Sequence, residues 1–168
     1  MAALETCPGC GLELPRGDGR GHPYIGASPS CWQRYGELLA REYQDPAYFS
    51  VHQLTVDAYA VQHPGRPERR AIQSVGLHLM TLGVTVEWGA DPSHGPALHR
   101  RMVGRVEFAW LEPPSFDGRL TVLHPLAAKS ATGHREAVSD WARDVWDAWS
   151  VHHPTVRGWL ATAAVSSP

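Results

Sequence analysis

Three cysteines constrain this chain more than any other feature. Cys7 and Cys10 flank Pro8-Gly9, Gly11 follows, and Cys31 stands where a helical segment opens. A two-residue spacing lets both thiolates of a pair face one ion. Glycines at 9 and 11 let the backbone turn tightly and aim its amides at the sulfurs. The stretch from Cys7 to Ser30 is rich in Gly and Pro and poor in apolar residues, so burial alone does not hold its shape. A metal would hold it, and the donor set points to zinc, which lowers thiol pKa so that the cysteines bind as thiolates. A redox pair at this spacing follows a strand and opens a helix, whereas residues 11–26 read as loop.

Cys31 falls in the first turn of a helix that Ser28 caps and Pro29 enters, where the positive end of the helix dipole favours a thiolate. The fourth ligand is open among His22, His63 and His52. His22 lies on the loop between the sulfurs and needs no distant fold to reach them, so the expected set is Cys7, Cys10, His22 and Cys31. His63 qualifies if the first two long helices run antiparallel. A closed site with three sulfurs is usually structural.

Beyond the knuckle the pattern is mainly α. A helical stripe of Trp32, Tyr35, Leu38 and Leu39 follows Pro29. Asp45-Pro46 opens a second helix, expected to run to about residue 62 and to end at His63-Pro64-Gly65. A third spans about residues 67–87, with Gly76 and Gly83 counting against it. A short helix over 96–103 follows, and residues 108–112 and 120–124 read as two strands joined by Pro113 to Gly118. The clearest helix carries Val138, Trp141, Ala142, Val145, Trp146 and Trp149 on its apolar side, with a shorter one over 154–164. The expected architecture is a single domain over 1–168: a zinc-tied N-terminal loop (1–30), then a helical bundle (31–168) with a small β-hairpin at about 108–124.

Other candidates are catalytic ones. His52 and His63 share a helix face but stand roughly 16 Å apart at about 1.5 Å per residue, too far to bind one ion. His52 and His78 fall at similar height if the second and third helices form an antiparallel hairpin. With a third ligand such as His134, His152 or His153 they would make an open site suited to activating water. A buried neutral histidine beside Val75 and Leu82 explains His78 as well. Asp57 reads as a solvated or hydrogen-bonded helix residue off the His52 face. Glu112, at a strand end beside Trp110, is a candidate general base, although a solvated carboxylate accounts for it. Crowded Trp141, Trp146 and Trp149 read as core.

Several stretches in order resemble a bacterial family of unknown function: CPGCG at 7–11, HPYIGASPSCW at 22–32 and LAREYQDPAYFSVHQLTVDAYAVQHPG at 39–65. QSVGLHLM at 73–80, WLEPP at 110–114 and WARDVWDAWSVHHPTVRGW at 141–159 continue the likeness over most of the chain. The resemblance implies one continuous domain and no particular activity. Leu123-His124 departs from an acidic residue that the family carries there.

Composition narrows the classes of partner. A formal charge of −2 and the absence of a basic stripe argue against nucleic acid, although a zinc knuckle alone suggests it. The longest apolar stretch, Val75 to Val86, is too short and interrupted to span a bilayer, and residues 1–11 do not look like a targeting segment. The expectation is a cytoplasmic, zinc-binding protein with a cleft for an unknown small molecule or protein. The competing class is a metal-dependent hydrolase or transferase with a second, His-based metal site.

Overall fold

Chain entry is set by the cysteine turn. A computed structural model describes residues 3–167. Strands β1 (Leu4–Thr6) and β2 (Glu13–Pro15) pair antiparallel, with Glu5 opposite Leu14, and hold the Cys7–Cys10 turn between them. The small hairpin therefore lies at the N-terminus and not at 108–124.

Helix α1 (Pro29–Gln44) starts where Ser28 Oγ accepts the Cys31 amide at 3.3 Å, and Pro29 occupies the first turn. It buries Cys31, Tyr35, Leu38 and Glu42, a stripe with an apolar middle and a polar group at each end. The next segment is not one helix. Asp45 caps a single turn, α2 (Pro46–Phe49), by accepting the Ala47 amide at 2.8 Å. The backbone leaves helical geometry at Val51, whose side chain turns into the core, and α3 (His52–Gln62) begins after it.

Helix α3 is central. It packs chiefly against α4 (Arg69–Trp88) and α7 (Ala131–Ala148), and eight of its residues from Leu54 to Gln62 are buried. Its polar residues are bonded across the core: the Trp141 indole N–H donates to Gln62 Oε1 at 2.9 Å, and Gln62 Nε2 donates to the Leu120 carbonyl at 2.8 Å. Helix α4 runs unbroken through Gly76 and Gly83. A Cβ at these positions would stand 2.3 Å from the Phe108 ring and 2.8 Å from the Trp146 ring, so the lost propensity is exchanged for aromatic packing.

Helix α5 (Gly95–Met102) folds back beside α3 and α4. Residues 103–121 then run without strand pairing, which corrects the expected hairpin. At Leu120 side chains take the place of a partner strand: Asp144 Oδ2 accepts its amide at 2.7 Å, and Gln62 Nε2 donates to its carbonyl. Phe116 and Leu111 anchor the segment in the core. A short α6 (Leu123–Leu126) leads to α7, and α8 (His153–Thr162) packs on α4. Trp141, Trp146 and Trp149 are all buried, so they are core. No helix among the described residues is long and apolar enough to cross a membrane.

Candidate metal centre

The hairpin, α1 and α3 each deliver donors to one point. Cys7 and Cys10 sit in the turn closed by Cys7 N–H to Leu12 O (2.8 Å) and Gly11 N–H to Cys7 O (3.0 Å). Cys31 arrives from the first turn of α1, and His63 from the residue that ends α3. One donor atom of each lies within 4.8 Å of the others, and all four residues are buried. Cys10 Sγ stands 3.9 Å from Cys31 Sγ, and Cys31 Sγ 3.4 Å from His63 Nε2. A tetrahedral zinc with ordinary bond lengths separates two sulfurs by about 3.8 Å and sulfur from nitrogen by about 3.5 Å.

The surroundings fix these donors in place. His63 Nδ1 pairs with the Tyr59 carbonyl at 2.8 Å; the ring N–H belongs there, which leaves Nε2 as a lone-pair donor toward the sulfurs. The Tyr59 hydroxyl donates to Cys31 Sγ and the Ser28 amide to Cys7 Sγ, both at 3.5 Å. The Tyr59 ring is stacked between Tyr35 (3.8 Å) and His63 (3.9 Å). Gly9 makes the approach feasible: a Cβ there would lie 2.6 Å from the His63 ring and 2.7 Å from the Gly26 carbonyl. Gly26 N–H in turn donates to the His63 carbonyl at 2.9 Å.

The thiols perturb one another strongly. Hydrogen bonds from Cys10 and Cys31 hold the Cys7 thiol far below its usual range. Cys31 lowers Cys10, but the Cys7 hydrogen bond and burial outweigh it and push Cys10 up to about 12. Contact with Cys10 and Cys7, together with burial, drives Cys31 further up. Three thiolates packed this closely would repel one another, and a dication between them would offset that repulsion.

Residues 5–150 match the family of unknown function DUF5946, which covers most of the chain. The chain belongs to that family. Neither a curated protein nor a solved structure matches it.

Within this member of the family, the other expected site residues are placed differently. His22 is not at the sulfurs: its Nδ1 accepts the Tyr24 amide at 3.4 Å, and its ring packs 4.3 Å from Tyr24 and 5.1 Å from Trp32. His63 takes the expected position of His22, because the antiparallel return of α3 brings its end to the start of α1. His52 and His78 do not share a site. His52 Nδ1 binds Glu42 Oε2 at 2.8 Å, whereas His78 Nδ1 binds Asp57 Oδ1 at 2.7 Å. Equal height on antiparallel helices is not a shared face: His52 faces α1, and Asp57, five residues on, faces α4. Of the two readings of Asp57 the hydrogen-bonded one holds: it is wholly buried and bonded to Gln53 and His78. Glu112 is exposed, and among the described residues only its backbone carbonyl is engaged, by His152 Nε2 at 2.8 Å. Neither donor cluster contains it.

Glu42 forms a buried junction of its own. His134 Nε2 (3.0 Å), His52 Nδ1 and the Thr55 hydroxyl converge on its two oxygens. Burial raises its pKa, but the hydrogen bonds from His134, His52 and Thr55 together outweigh burial and hold it below the usual carboxylate range. A carboxyl with a depressed folded pKa stabilises above its unfolded value of about 4.3, and that stability is lost as pH falls through the folded value. Wild type should therefore lose stability relative to Glu42→Gln as pH drops below about 4. Denaturation midpoints of the two proteins across that range measure the difference; parallel curves would exclude a role for this carboxylate. Both proteins share the thiolate site, so its own acid sensitivity cancels.

Proposed function

We propose that Cys7, Cys10, Cys31 and His63 hold one zinc ion, and that this ion is mainly structural. The observation supporting it is the agreement of the 3.9 Å and 3.4 Å donor separations with a zinc tetrahedron. Four protein donors close the coordination sphere and leave no position for substrate, the signature of a structural site. The ion would join three segments distant in sequence: the hairpin turn, the head of α1 and the tail of α3.

Thiol ligands suit a reducing compartment such as the cytoplasm. On this reading the ion holds the N-terminal lobe against a helical body whose cleft, lined by Tyr24, Arg70, Gln73, Ser74, His78 and His99, receives a small molecule or a protein segment. A net charge of −2 does not favour nucleic acid as the partner.

Competition with a chelator tests the ligand set. His63→Ala should surrender zinc far more readily than wild type, while His22→Ala should retain it. Equal retention by the His63 variant and the wild type would remove His63 from the site, and loss from the His22 variant would restore the loop histidine.

A further inference from the structure

Helices α3, α4 and α5 bring together a second donor set, independent of the cysteines. Asp57, His78 and His99 each place a ligand atom within 4.8 Å of the other two. The imidazoles of His78 and His99 stand 4.8 Å apart at 59°. Asp57 is 0% exposed. Its Oδ1 accepts from Gln53 Nε2 at 2.8 Å and pairs with His78 Nδ1 at 2.7 Å.

A plain Asp57–His78 pair leaves two groups unexplained. Asp57 Oδ2 and His99 Nε2 are both buried, and neither has a hydrogen-bond partner among the described residues. His99 Nε2 approaches Asp57 Oδ1 only to 3.6 Å, too far for a hydrogen bond. Idle buried polar atoms are rare in folded proteins, and two side by side, both of them metal-ligand types, call for a common partner. A cation satisfies both at once. His78 and His99 also line an open cleft of about 360 Å³, which Arg70, Gln73 and Ser74 share.

We propose that Asp57, His78 and His99 bind a divalent transition-metal ion whose remaining coordination positions face this cleft. One carboxylate and two imidazoles suit a borderline cation such as zinc, iron(II) or cobalt(II). Three protein ligands leave open positions, in contrast to the closed thiolate centre. A dication with one carboxylate keeps a net positive charge, and the exposed Arg70 at the cleft adds another. The occupant of the open positions is accordingly a small anion or an oxygen-bearing ligand.

Cobalt titration of full-length protein already carrying one equivalent of zinc tests this site. Zinc occupies the thiolates, so the next metal reports the other donors. Wild type should take up one cobalt(II) per chain, with ligand-field absorption and without a thiolate charge-transfer band. His78→Ala and His99→Ala should lose that cobalt while keeping their zinc and their far-UV circular dichroism. Inorganic phosphate should shift the cobalt bands of wild type, and shift those of Arg70→Ala less. If wild type takes no cobalt beyond the zinc-filled centre, or if its cobalt bands are those of a thiolate complex, the second site is refuted. Cobalt uptake by a folded His99→Ala equal to wild type refutes it as well, and bands indifferent to phosphate overturn the anion assignment. The order of filling rests on the thiolate reading, and zinc K-edge absorption of the one-equivalent protein separates the two: a sulfur shell shows that the cysteines hold the zinc, so that cobalt uptake reports the second site alone.

Discussion

Cys31→Ser should lose zinc and destabilise the protein by more than about 4 kcal/mol, the range reached when a structural metal is removed. Cys31 is wholly buried, and its sulfur meets Cys10, His63 and Tyr59. Its removal breaks the link among three segments at once. Besides the cysteines, the lobe preceding α1 has two three-residue strands, a Gly-rich loop and a few hydrogen bonds to the head of α1 and the end of α3. That lobe should open first, so limited proteolysis should cut within residues 11–28 before it cuts the helices. A chelator applied to wild type should reproduce the same cleavage. The helical body keeps its own core and should retain most of its circular dichroism. Cleavage unchanged by chelation would mean that the hairpin stands without a metal.

Trp141→Ala should cost about 3–5 kcal/mol through the lost ring and the cavity left behind. A further ~1–3 kcal/mol is expected because Gln62 Oε1 loses its donor in a dry interior. The ring is 0% exposed and lies between α3 and α7, edge-on to Tyr59 at 6.5 Å. Trp141→Phe separates the two contributions, since it keeps most of the packing and removes only the N–H. Chemical denaturation of the three proteins measures both. A Phe variant as unstable as the Ala variant would assign the whole effect to the hydrogen bond, and two near-neutral variants would remove Trp141 from the core.

The contrast between what the residues announce and what they conceal follows the range of each interaction. The cysteine turn, the Ser28 cap and the apolar stripe of α7 are local: their geometry depends on residues within one or two turns, so spacing alone reveals them. His63 against His22 is decided by where α3 ends relative to α1, a tertiary fact. Chain proximity favours His22, whereas the fold brings His63 to the sulfurs. Helix α3 hides Asp57 for a different reason. It is covered by α1, α4, α5 and α7, so it has no polar face against which a buried aspartate would stand out. His99 lies on a short helix with no motif around it, and only the packing of α5 shows what it meets. The segment 108–124 has the alternation and turns of a hairpin, yet at Leu120 side chains of Gln62 and Asp144 take the backbone hydrogen bonds that a second strand would have supplied.

Zinc K-edge X-ray absorption on protein holding one equivalent of zinc measures the central claim directly. Three sulfur scatterers at about 2.3 Å and one nitrogen at about 2.0–2.1 Å are the predicted shell. In His63→Ala the nitrogen should be replaced or lost while the sulfurs remain. A shell of nitrogen and oxygen without sulfur would contradict the account, because it would place the ion somewhere other than the cysteine cluster.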